Sequence, residues 1–73
     1  MIIKIIAGSW ANKFNIRATI NLKDGADITD ALAELNIPAH EIGLTSINGK
    51  AVSRETILRD GDELKIFPVI VDG

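Results

Sequence analysis

Asp60-Gly61-Asp62-Glu63-Leu64-Lys65-Ile66-Phe67-Pro68-Val69-Ile70-Val71-Asp72-Gly73 closes the chain. The stretch reads as a tight turn at Asp60-Gly61, a strand over 63–69 and an apolar tail that stops on glycine. Leu64 and Ile66 are expected to point inward, with Lys65 and Phe67 on the opposite face. Pro68 lacks an amide donor, which predicts weakened ladder pairing at that point. Residues 1–69 are expected to form one domain and residues 70–73 a flexible tail.

The rest of the sequence supplies partners for that strand. Asn48-Gly49 is a strong hairpin signal between short strands over 43–47 and 50–52, because both turn residues must take positive φ. Residues 55–58 are expected to form a single helical turn. Asp27 is a good N-cap, able to accept from the Asp30 amide. Ile28, Ala31, Leu32 and Leu35 then form one apolar stripe, predicting a helix over 28–36 that Asn36 and Pro38 end. Ile16, Ala18, Ile20 and Leu22 alternate with polar residues, the pattern of a half-exposed strand. Ile2, Ile3, Ile5 and Ile6 are broken only by Lys4, which predicts a central strand covered on much of both faces.

The element order is therefore β-β-α-β-β-β. A strongly apolar first strand needs a cover, and the helix over 28–36 supplies it, with the second and last strands flanking the first. This predicts an α+β chain of the β-grasp (ubiquitin-like) class, a mixed sheet curled around one main helix.

Composition narrows the function. The 73 residues allow one small domain without room for a large catalytic cleft. The net charge of −2 and the scattered basic residues argue against a nucleic-acid binder. No apolar run approaches the ~20 residues of a membrane span, and the first residues lack the basic start of a signal peptide. Cysteine is absent, so neither disulfides nor thiol chemistry originate here. The expectation is a soluble, cytoplasmic protein with no membrane partner.

Ile47-Asn48-Gly49-Lys50 with Val52, then Leu58-Arg59-Asp60-Gly61-Asp62-Glu63-Leu64, then Phe67-Pro68-Val69 and a terminal Gly, resemble the ThiS/MoaD family of sulfur-carrier proteins. Asp24-Gly25-Ala26-Asp27-Ile28-Thr29-Asp30-Ala31-Leu32 resembles that family's entry into its helix. The resemblance covers nearly the whole chain, least well over 7–17. It implies a carrier that is not itself an enzyme and binds no cofactor. A partner activating enzyme uses ATP to adenylate the C-terminal carboxylate, here that of Gly73. A sulfur donor displaces AMP and leaves a thiocarboxylate. Thiazole synthase then takes the sulfur in thiamin synthesis, or the large subunit of molybdopterin synthase takes it for a molybdenum or tungsten cofactor. Phe67-Pro68 and the longer first loop look more like MoaD, whereas Val69-Ile70 and the short length are closer to ThiS.

On this reading Ile70, Val71 and Asp72 form the presenting tail, and Phe67 and Val69 an apolar docking patch at its root. The departure is Asp72, since the family pattern ends Gly-Gly. Its Cβ thickens the tail, and its charge lies near the ATP phosphates. Two other readings share the fold: a ubiquitin-like modifier conjugated through Gly73, and a β-grasp binding module without terminal chemistry.

Other residues offer less. Trp10 is a candidate loop contact for a partner, although Trp10 and Phe14 equally suit a cap on a small core. Asp60, Asp62 and Glu63 lack calcium-loop spacing and read as a turn with solvent-facing charges. His40, the only histidine, cannot anchor an ordinary zinc site without Cys or a second His.

Overall fold

Ile3, Ile5 and Ala7 bury one face of the first strand against Ile28, Ala31 and Leu32 of the helix, and the rest of the fold is arranged around that contact. A computed structural model describes residues 1–7 and 16–69. The strands are β1 (Ile2–Ala7), β2 (Ile16–Asn21), β3 (Ile42–Ile47), β4 (Lys50–Val52) and β5 (Glu63–Pro68). The helix α1 spans Ile28–Glu34, and a 3₁₀ turn spans Ala39–Glu41. One sheet runs in the order β2-β1-β5-β3-β4, with β1 and β5 parallel and the other pairs antiparallel. Parallel neighbours need a crossover connection, and α1 lies on it. This is the β-grasp arrangement, with β2 and β5 flanking β1 as the apolar patterns require.

The core joins Ile3, Ile5, Ile28, Ile42, Leu64 and Ile66, all fully buried. Leu64 and Ile66 point inward as their alternation predicts. β1 differs from expectation, because only one of its faces is covered. Ile2 is 48% exposed, Lys4 is exposed and Ile6 is half-buried. A single helix covers one side of the sheet, and among the described residues no second layer lies over the other. The β-branched run reflects strand propensity as well as burial.

The helix begins with a capping box. Asp27 Oδ1 accepts from the Asp30 amide at 3.0 Å and from the Thr29 hydroxyl, while Asp30 Oδ2 accepts from the Asp27 amide at 2.9 Å. The Thr29 hydroxyl bond first, then the Asp30 amide, holds the Asp27 carboxyl below its ordinary value. The helix ends at Glu34, two residues earlier than the apolar stripe predicts. Asn36 turns left-handed at φ 57°, its N–H bonds the Ala33 carbonyl, and the Ile37 N–H bonds the Leu32 carbonyl at 3.0 Å. These paired bonds form a Schellman closure, and buried Ile37 and Leu32 supply its apolar contact.

Residues 55–58 form no helical turn. The Thr56 N–H closes a turn on the Ser53 carbonyl, Ile57 bridges to Asp27, and the Leu58 N–H bonds the Ala26 carbonyl at 2.9 Å. The segment spends its hydrogen bonds on the chain entering α1, which drops Leu58 into the core.

Candidate functional site: the open sheet face and the end of β5

Alternation along β5 sends Glu63, Lys65 and Phe67 to the face that α1 leaves uncovered. Phe67 is 40% exposed and Val69, just past the strand, is 43% exposed. Leu44 lies directly across from Phe67 and is 49% exposed. Phe67, Val69 and Leu44 thus form an apolar patch at the end of the last described strand. The next cross-strand row reads Arg17, Ile6, Lys65, Ser46 and Ala51. Beyond it Lys4 and Glu63 are paired, with Nζ 3.6 Å from Oε2. Lys4 is exposed and Glu63 half-buried, and a pair this open to solvent contributes little stability.

Leu44 was missed from sequence, although a signal for it exists. Counting back from the Asn48-Gly49 turn, Ile47 and Thr45 face inward, so Leu44 must face outward. A solvent-facing Leu beside Phe67 marks the patch. A bulge between Ile42 and Leu44 then resets the alternation and returns Ile42 to the core.

Pairing reaches the expected strand end, and the missing Pro68 amide weakens the ladder less than predicted. Pro68 pairs with Ile42, and the Val69 N–H bonds the Glu41 carbonyl at 3.0 Å. That flanking bond marks Ile42 and Pro68 as a non-hydrogen-bonded pair, in which β3 asks nothing of the Pro68 nitrogen.

The acidic turn before β5 is structural. Asp60 Oδ1 accepts from the Ile2 amide at 2.6 Å, and Asp62 Oδ2 accepts from the Arg59 amide at 2.9 Å. Asn48 Nδ2 donates to Asp62 Oδ1 at 3.1 Å, and Asn48 Oδ1 accepts from the Glu63 amide at 3.0 Å. The hairpin turn and the turn into β5 are thereby stitched together. Among the described residues no His, Cys, Asp and Glu cluster could hold a metal ion, and no helix is long and apolar enough to cross a membrane. His40 is exposed in the 3₁₀ turn. An open groove of about 660 Å³ beside the β2–α1 turn is lined by Lys23, Asp24, Asp30 and Glu34 among others, and by no residue of the patch. Trp10, Phe14, Ile70, Val71, Asp72 and Gly73 lie outside the described residues.

Fold and surface together define a β-grasp domain with one sheet face open and an apolar patch where the last strand ends. The ThiS family model matches residues 5–71, and the chain belongs to this family of small sulfur carriers. The match stops before Asp72 and Gly73. No curated protein matches the chain.

Proposed function

We propose that this protein is a sulfur carrier whose Gly73 carboxylate is adenylated and then converted to a thiocarboxylate. The supporting observation is the family match together with the apolar patch of Leu44, Phe67 and Val69 beside the root of the tail. A carboxylate is a poor acyl donor and needs a good leaving group. The Gly73 oxygen attacks the α-phosphorus of ATP and releases pyrophosphate. Sulfur from a persulfide donor attacks the resulting acyl adenylate and releases AMP. A thiol then reduces the acyl disulfide and frees the thiocarboxylate.

The activation happens in another protein's pocket, so the carrier's part is to supply a docking surface and an end that the pocket can receive. Gly73 has no side chain to block attack on its carbonyl. The open sheet face presents apolar area that an activating enzyme can bury. ATP is the partner's substrate, and the carrier binds no cofactor. The acceptor is a thiazole synthase or the large subunit of a molybdopterin synthase, and the cytoplasm, where those syntheses run, is the proposed location.

ATP–pyrophosphate exchange by the activating enzyme tests this reading, because exchange requires a carrier whose end can be adenylated. Carrier-dependent exchange supports it, and a charge at Leu44 should raise the carrier concentration needed for half-maximal exchange about tenfold or more. Asp72 favours the second reading, a binding module on the same fold. On that reading the partner binds the sheet face and no exchange occurs.

A further inference from the structure

The end of β5 is held by a clasp. In the register of the Ile42 and Pro68 pair, the Ile42 carbonyl points away from β5. β4 pairs only with Thr45, Ser46 and Ile47 and stops short of that carbonyl. Arg54, just past the end of β4, takes its place. Its Nη2 donates to the Ile42 carbonyl, and its Nη1 donates to the Ala39 carbonyl at 2.8 Å. One guanidinium therefore spans the 3₁₀ turn from its first residue to its C-cap. Glu41 lies between those two points, and its carbonyl holds the Val69 amide.

We infer that Arg54 is a positioning residue for the terminal chemistry. Through the Glu41 carbonyl it fixes Val69, the position from which the four terminal residues must reach the partner's pocket. The inference rests on the carrier reading above. Residues 70–73 can extend at most about 14 Å beyond Val69. If Pro68 and Val69 peel away from β3, the free segment can reach roughly 20 Å. Val69 then also leaves the patch. A partner that docks on Leu44 and Phe67 while receiving the terminus is sensitive to that change.

The test uses the full chain and the Arg54→Ala and Arg54→Lys variants. Backbone amide exchange is followed by NMR, and adenylation kinetics are measured with the activating enzyme. In Arg54→Ala the Val69 amide should exchange roughly tenfold faster relative to the Ile5 and Leu64 amides, because charge-assisted bonds have been removed. The KM for the carrier should rise about fivefold or more, with kcat changed less than about twofold. Arg54→Lys should fall between, since an ammonium lacks the planar fork that takes both carbonyls. A merely structural role would lower protection at Val69, Ile5 and Leu64 together. That result, or a Val69 amide unchanged against them, overturns the inference. Should Arg54→Ala not fold, Arg54→Lys alone decides by the same ratio. If the wild type is never adenylated, the carrier reading fails while the exchange ratio still decides whether the clasp exists.

Discussion

Gly43→Ala should loosen the end of β5 without disturbing the rest of the sheet. An ideal Cβ at Gly43 falls 2.7 Å from the Pro68 carbonyl oxygen, 3.1 Å from its carbon and 3.2 Å from the Val69 Cα. All three are backbone atoms, so no rotamer change relieves the contact. Overpacking of this kind costs about 1–3 kcal/mol. Restricting the unfolded chain returns roughly 0.4–1 kcal/mol where the native backbone suits alanine. The net loss is on the order of 1–2 kcal/mol, which for a domain of this size lowers Tm by about 4–16 °C. Thermal and urea unfolding measure it, and NMR locates the change. The cheapest relief is separation of Pro68 and Val69 from β3, so the Val69 amide should lose protection first. A Tm equal to or above wild type, with Val69 still protected, would refute the reasoning. Gly25→Ala is the contrast. Its Cβ meets nothing within 4 Å, so any loss there comes from the positive φ of 91° alone.

Other substitutions test other parts of the account. Asn48→Ala removes two side-chain hydrogen bonds and places alanine at φ 52°, so denaturant unfolding should show a loss of about 2–4 kcal/mol. Asp27→Asn keeps an N-cap acceptor but removes the titrating charge. Because the folded Asp27 carboxyl lies below its ordinary value of 3.8, its contribution is complete above that value and disappears as pH falls through the lower folded one. The wild type should therefore be more stable than Asp27→Asn at neutral pH, with the gap closing in Tm measurements toward pH 3. Leu44→Asp should leave Tm within a few degrees, since Leu44 is half-exposed. It should weaken binding of an activating enzyme about tenfold or more by calorimetry.

The sequence exposed the fold through local signals strong enough to survive tertiary packing. Asp27 as N-cap, Asn36 as helix stop and Asn48-Gly49 as hairpin turn each work through one backbone position. The structure shows each of them bonded accordingly. Leu64 and Ile66 faced inward as their period required. The failures came where non-local pairing decides. Residues 55–58 bond across to Ala26 and Asp27, partners that no local pattern announces. Pro68 was read as weakening the ladder because its missing donor is visible in sequence, whereas the register that makes the donor unnecessary is not. The β1 run was read as doubly covered because strand propensity and burial select the same residues. The outward placement of Phe67 and Val69 was legible, and the register adds Leu44 beside them. Arg54 was one of several scattered cations until the short β4 showed which carbonyl it serves.

The most direct test of the central claim is the intact mass of the chain after incubation with ATP, its activating enzyme and a sulfur donor. The account predicts the mass gain of an oxygen-to-sulfur exchange, localised by fragmentation to Gly73, and none in a chain lacking that residue. An unchanged mass, with the enzyme shown to be active on another carrier, would contradict it.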